Sequence, residues 1–177
     1  MNDFIKLLKK RRSIRVFQDK PVEKEKIDQI VRNALLAPSA RGRRTWEFVV
    51  VTDKETLNKL SNARGGGPNF LAGAPLGIVV IADGALSDMW TEDASIAATI
   101  MQLTTESLNL GSCWMQIRER SHSENLTAED YVKQVLDIPE KYRVECILGI
   151  GYKGEEKELY TEEELNLLLD KIHYQKF

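Results

Sequence analysis

Arg11, Arg12, Ser13 and Arg15 fall within five consecutive residues, and that grouping suits one kind of chemistry. A guanidinium is a planar fork that matches two oxygens of a phosphate, so three forks and a hydroxyl can grip one compact dianion. The same residues could equally form a solvated basic turn, or part of a polyanion-binding patch over residues 9–15, because a cationic run alone carries little information. Other chemistries have less to work with. His122 and His173 lie far apart without ligand-spaced neighbours, which predicts no metal site. No triad-like arrangement is present, so no protein nucleophile is expected. Cys113 and Cys146 stand in apolar surroundings without paired-ligand spacing and read as two buried thiols rather than a disulfide or a metal site.

A chain of 177 residues supports one substantial core and not two comfortable ones, which predicts a single domain over residues 1–177. With 42% hydrophobic and 29% charged residues it has an ordinary soluble composition. The net charge of -2 argues against a protein built around nucleic acid, which needs a broad basic surface. The first residues lack the apolar stretch of a signal peptide, and no apolar run approaches membrane-spanning length. The expectation is a cytoplasmic protein that binds neither nucleic acid nor membrane.

The elements that must position the arginine cluster are well patterned. Phe4, Ile5, Leu7 and Leu8 alternate with lysines at helical spacing and predict a short amphipathic helix running straight into the cluster. Residues 23–37 carry Ile27, Ile30, Val31, Ala34 and Leu35 on one stripe, a second helix that Pro38 stops. Residues 46–51 are rich in β-formers, Asp53 is a plausible N-cap for a helix to about Asn62, and residues 76–82 form a continuous apolar strand. The glycine-rich loop at 64–69 follows no strand and has no GxGxxG pattern, so it reads as a surface segment. Residues 89–110, capped by Ser87 or Asp88, are apolar around most of the helix and predict the buried central one, ended by Gly111. Strands are expected at 112–117 and 144–151. Capping boxes at Thr127 and Thr161 open helices to Leu136 and Asp170, followed by an aromatic tail from Ile172 to Phe177.

Four pieces now stand in order: the arginine cluster, the Ala37-Pro38-Ser39-Ala40 loop leading into Trp46, the Gly111-Ser112-Cys113-Trp114 turn after the central helix, and Gly151-Tyr152 after the last strand. Over nearly its whole length the chain resembles the FMN-dependent nitroreductase family. The resemblance implies an α+β fold, with a four- or five-stranded, mainly antiparallel central sheet wrapped by helices. It implies an intertwined homodimer holding two FMN molecules at its interface, with the tail from about residue 160 to 177 packing on the partner subunit. It places Arg11, Ser13 and Arg15 on the FMN phosphate and ribityl chain, with Arg12 beside them and Lys157 completing the phosphate site. From the second subunit, Pro38, Ser39 and Ala40 would line one side of the flavin. Gly42, Arg44 and Thr45 stand where the family usually carries Asn and Gln-Pro, so Arg44 could bring a positive charge to the ring edge. Trp114, Met115 and Gln116 would run along the ring, with the Gln116 backbone N–H aimed at flavin N5, and Gly151 would let the chain pass close to the cofactor.

The implied reaction takes a hydride from NAD(P)H through FMN to a small-molecule electron acceptor, such as a nitroaromatic or a quinone, by a ping-pong mechanism at one open face. Residues 64–70 and 121–125 are candidates for its rim by their polarity and glycine content. The ring carries the chemistry, so no catalytic side chain is implied. The same resemblance accommodates dehalogenation, flavin cleavage, or a non-catalytic flavin-binding and redox-sensing role.

Overall fold

A computed structural model describes residues 3–67 and 69–177; Met1, Asn2 and Pro68, which the N-terminal and glycine-loop readings include, lie outside the described residues. From the N-terminus, α1 (Asp3–Lys10) leads into an extended arginine segment, followed by α2 (Lys24–Ala34), β1 (Trp46–Val51), α3 (Lys54–Ser61), β2 (Leu76–Asp83), α4 (Trp90–Ser107) and β3 (Gly111–Gln116). A small hairpin of β4 (Ser121–Ser123) and β5 (Leu126–Thr127) comes next, then α5 (Ala128–Leu136), β6 (Tyr142–Gly151) and α6 (Glu162–Asn166).

The strands β1, β2, β6 and β3 form one antiparallel sheet in that order. The two central strands are apolar runs because helices cover both faces, and a strand buried on both sides has no solvent face to alternate with. On one face Ile30 of α2 and Met101 of α4 meet Ile78 and Leu148. On the other, Leu57 and Leu60 of α3 and Val132 of α5 meet Met115 and Ile147. The fold is therefore the α+β arrangement that the resemblance implied, and α4 is its central helix, with Ala94, Ala97, Ala98 and Met101 wholly buried.

One irregularity in the sheet bears on the site. Val80 pairs with Cys146 but Ile81 pairs with Val144, so Glu145 is the extra residue of a β-bulge in β6. A bulge re-aims the side chains on either side of it. Val144 accordingly packs into one core and Cys146 into the other.

Several element ends differ from the expected ones for identifiable reasons. The central helix stops at Ser107, where Asn109 takes a left-handed conformation (φ 58°) and turns the chain; asparagine tolerates that region, so the expected terminator, Gly111, is free to begin β3. A Cβ on Gly111 would lie 2.8 Å from Ile14 Cβ, so glycine is needed there for close packing of the arginine segment. The Met89 N-cap has no side-chain cap; Ser87 Oγ accepts from the Met89 N–H instead. Helix α2 ends at Ala34, three residues short of Ala37: the Leu36 and Ala37 N–H groups bond back to the Asn33 and Ala34 carbonyls in tighter turns (3.1 and 3.0 Å), and Pro38, which disfavours helical geometry in Ala37, closes the segment. Asp53 and Thr127 cap α3 and α5 as expected, although Asp130 returns its carboxylate to the Thr127 hydroxyl and not to the backbone.

At Thr161 the full capping box forms, yet α6 lasts only five residues before a 3-10 turn at Leu169–Lys171. None of these residues is buried, and a short helix without a packing face does not propagate. Both cysteines are buried and unpaired, and burial pushes their thiols above the usual range. Among the described residues no helix is long and apolar enough to cross a membrane.

Candidate active site

The sheet order leaves β3 at an edge, and the ladder shows which way its backbone faces. Ile117 N–H donates to the Glu145 carbonyl on the β6 side (3.1 Å), while the Ser112 carbonyl accepts from Ile14 N–H on the opposite side (3.0 Å). In an antiparallel strand the direction alternates residue by residue. Ser112, Trp114 and Gln116 therefore turn their backbone groups away from β6, along the outer edge. Ser112 is taken by a parallel bridge to Ser13; Trp114 and Gln116 extend the row beyond it.

The arginine segment enters at the Ser112 end, and its extended geometry divides the cluster. Successive side chains of an extended chain point to opposite sides. Arg11, Ser13 and Arg15 therefore fall together on one side, and all three oppose the upward effect of burial on the Cys113 thiol. Among the described residues neither the Arg11 nor the Arg15 guanidinium meets a carboxylate. Arg15 is exposed and Arg11 and Ser13 half-buried. Arg12 stands apart from them: its guanidinium donates to the Glu158 carbonyl and lies 4.5 Å from the centroid of the Tyr160 ring.

On that opposite side, Lys10, Arg12, Ile14, Gln18, Lys153 and Lys157 border a cavity of about 700 Å³. Its cations are already engaged. Lys153 donates to both oxygens of the buried Glu106 (2.7 and 2.8 Å), Lys10 lies 3.5 Å from the same carboxylate, and Lys157 pairs with Glu155 (2.6 Å). Glu155 in turn accepts from the backbone N–H groups of Arg15 and Val16 (2.6 and 3.2 Å). Those contacts, with Lys157 first, hold the Glu155 carboxyl below the usual range. Lys157 thus acts on the arginine segment through Glu155, from the far side of it.

The far end of β3 carries a polar network. Trp114 Nε1 donates to Gln116 Oε1 (2.8 Å), and Gln116 Nε2 donates to Glu145 Oε1 (3.2 Å) and to the Arg118 carbonyl (3.3 Å). Arg118 Nε donates to Glu145 Oε2 (3.1 Å). Glu145 is only 3% exposed, and burial raises its carboxyl pKa against the opposing pull of Gln116 and Arg118. Met115 is buried in the core between these neighbours.

The loop over residues 38–45 is shaped by left-handed backbone at Arg41, Gly42 and Arg44 (φ 53°, 67° and 51°). Two non-glycine residues there are costly, and buried Asp93, in the first turn of α4, holds the conformation. Its carboxylate accepts from the Ala40 N–H (2.8 Å) and from the Thr45 hydroxyl (3.2 Å), and Ser39 Oγ accepts from the Arg44 N–H (2.9 Å). Pro38, Ser39 and Ala40 are thereby fixed relative to the central helix. Replacing Asp93 by Ala leaves the half-buried Ala40 N–H and the buried Thr45 hydroxyl unpaired and is expected to destabilise the fold by about 2–6 kcal/mol, at roughly 1–3 kcal/mol for each group; thermal unfolding measures the loss.

Gly151 is explained within the chain: a Cβ there would lie 2.6 Å from Pro75 Cδ and 3.1 Å from Phe17 Cδ1. The two expected rim segments do meet. A Cβ on Gly65 would come within 2.0 Å of the His122 carbonyl, and His122 Nδ1 lies 2.9 Å from the Asn62 carbonyl with its ring stacked on Tyr131. The residues that sequence reasoning missed are Asp93, Glu145 and Glu155. Glu145 did carry a signal, as the one charge inside the apolar run 144–150. Asp93 and Glu155 carried none, since each resembles an ordinary surface acid until the fold places it.

Comparison with known proteins gives the same class. The Nitroreductase family model matches residues 8–68 and 62–152. An FMN-dependent nitroreductase from Clostridium difficile R20291 superposes with a TM-score of 0.95 at 52% identity, covering 98% of this chain and 99% of that one. A protein of Archaeoglobus fulgidus, provisionally described as an NADH dehydrogenase/NAD(P)H nitroreductase, is 36% identical over the full length of both chains. The FMN reductase [NAD(P)H] of Bacillus subtilis is 39% identical over 83 residues, 47% of this chain and 33% of that one. The fold and the matched relatives are those of flavin oxidoreductases. More narrowly, the chain belongs to the Nitroreductase family.

Proposed function

We propose that the chain is an FMN-dependent NAD(P)H oxidoreductase that reduces a small-molecule acceptor, such as a nitroaromatic or a quinone, by a ping-pong mechanism. The single observation that carries this reading is the outer edge of β3. At one end stand two guanidinium groups that meet no carboxylate among the described residues, and a hydroxyl, a donor set suited to a phosphate dianion. Farther along stand the outward backbone groups of Trp114 and Gln116. From Ser112 to Gln116 the strand covers about 14 Å, at roughly 3.4 Å per residue, which suits a ligand with a phosphate at one end and a flat ring at the other.

In this reading Arg11, Ser13 and Arg15 hold the phosphate, and Gln116 presents its backbone N–H to the ring. FMN, when bound, supplies the two-electron redox chemistry. Lys157 and Glu155 hold the arginine segment in register from behind. The loop of Pro38, Ser39, Ala40, Gly42 and Arg44, stiffened by Asp93, covers the ring from a second subunit. Two copies are needed for that, and the surface supports association: Phe4, Ile5, Leu8, Leu36, Leu167 and Phe177 are large apolar side chains left exposed. Sedimentation of the purified protein at a dimer mass is the corresponding expectation.

A visible spectrum tests the function directly. Protein reconstituted with FMN and freed of excess should show oxidised-flavin bands, anaerobic NADH or NADPH should bleach them, and a nitroaromatic or quinone should restore them. Steady-state rates against both substrates should then give parallel double-reciprocal lines. A colourless protein after reconstitution overturns the flavin reading, and bands that NAD(P)H leaves unchanged overturn the reductase reading.

A further inference from the structure

The structure assigns Glu145 as a positioning residue that sets the flavin-facing end of β3 through the side chain of Gln116. The inference rests on the FMN reading above and adds to it a residue with no cofactor contact of its own. Three independent features place Glu145 in that role. It is the extra residue of the β-bulge in β6, and the bulge turns it toward the last residues of β3. Its backbone carbonyl accepts from both Ile117 and Arg118 N–H (3.1 Å each), which fixes the turn directly after Gln116. Its carboxylate is buried, and each oxygen accepts one bond, from Gln116 Nε2 (3.2 Å) and from Arg118 Nε (3.1 Å).

The donor and acceptor roles along this chain are forced. An indole N–H only donates, so Gln116 must turn its oxygen to Trp114 and its amide nitrogen to residue 145. Residue 145 must then accept on both sides, because Arg118 also only donates. A carboxylate meets that requirement and an amide does not. With Gln at position 145, one amide N–H2 always faces another donor, either Gln116 or Arg118. The strain falls on Gln116, whose backbone N–H is the group offered to the ring.

The test uses the full-length protein as Glu145→Gln, Gln116→Ala and the double variant. FMN affinity is measured by flavin fluorescence and the midpoint potential by anaerobic redox titration. A donor at N5 favours the oxidised ring, which accepts there, over the reduced ring, whose N5 carries a proton. The expected result for Glu145→Gln is about tenfold weaker binding of oxidised FMN, the lower part of the range for one mispaired buried donor. With binding of reduced FMN unchanged, that tenfold equals an upward shift of about 30 mV in the two-electron potential.

Because Glu145 acts through Gln116, adding Glu145→Gln to Gln116→Ala should change neither quantity further. In the apoprotein, the Trp114 Nε1–H resonance should move on Glu145→Gln. The inference is overturned if Glu145→Gln binds FMN at an unchanged potential and affinity, or if the two substitutions add, since additivity marks a structural effect independent of Gln116. If Glu145→Gln does not fold, Glu145→Asp draws the carboxylate back from Gln116 Nε2 and should shift the potential in the same direction by less; no shift overturns the inference equally. A wild-type protein that binds no FMN defeats the function proposed above and this inference with it. A wild type that binds FMN while the variants match it defeats this inference alone.

Discussion

Replacing Arg11 and Arg15 together by Ala is expected to lower FMN affinity by two to four powers of ten while leaving the fold in place. Each charge-assisted bond to a phosphate contributes about 1.5–3 kcal/mol, so two contribute roughly 3–6 kcal/mol, and each 1.4 kcal/mol is about a factor of ten in Kd. Neither guanidinium meets a carboxylate among the described residues, so the apoprotein should unfold within about 0.5 kcal/mol of the parent, as surface substitutions usually do. Fluorescence titration with FMN gives the first quantity and thermal unfolding the second. Arg12→Ala supplies the contrast. Its guanidinium serves the Glu158 carbonyl and the Tyr160 ring on the other side of the segment, so FMN affinity should hold while residues 158–160 loosen. A loss of affinity from Arg12→Ala as large as that from the pair would contradict the division of the cluster.

The second large effect is expected at Gly111. A Cβ there would meet Ile14 Cβ and Cγ1 at 2.8 Å and Cγ2 at 2.9 Å. Ile14 is 1% exposed, and a β-branched side chain has little rotamer freedom with which to yield. The clash must move backbone instead, and the backbone concerned is the Ser13 to Ser112 bridge that brings the phosphate donors to the edge of β3. Gly111→Ala should therefore destabilise by about 1–3 kcal/mol, as overpacking does, which lowers Tm by about 2–4 °C per kcal/mol in a chain of this size. It should also weaken FMN, although residue 111 does not touch it. Gly73→Ala is the control, since nothing lies within 4 Å of a Cβ built there. Calorimetry and FMN titration of the two variants read the difference; equal behaviour would show that Ile14 is free to move.

These cases also show what the sequence made legible. The four strands of the sheet, the central helix and the caps at Asp53 and Thr161 follow from local pattern, because apolar periodicity and capping chemistry act within a few residues. The role of Gly111 did not follow. It looked like a helix terminator, whereas Asn109 performs that task and Gly111 answers to Ile14, nearly a hundred residues away. The hairpin at 121–127 escaped because strands of three and two residues are too short to display a period. The division of the arginine cluster was hidden for a related reason: four residues read as one motif until an extended backbone sends Arg12 one way and Arg11, Ser13 and Arg15 the other. The contacts of Asp93 with Ala40, Glu145 with Gln116 and Glu155 with Arg15 span between 29 and 140 residues, a range at which pattern along the chain does not name the partner.

A crystal structure of the protein with FMN bound tests the central claim most directly. The phosphate should lie within hydrogen-bond distance of Arg11, Ser13 and Arg15, and the ring should lie along the outer edge of β3 with its N5 facing the Gln116 backbone N–H. A phosphate seated instead among Lys10, Lys153 and Lys157, in the cavity behind the arginine segment, would contradict the account.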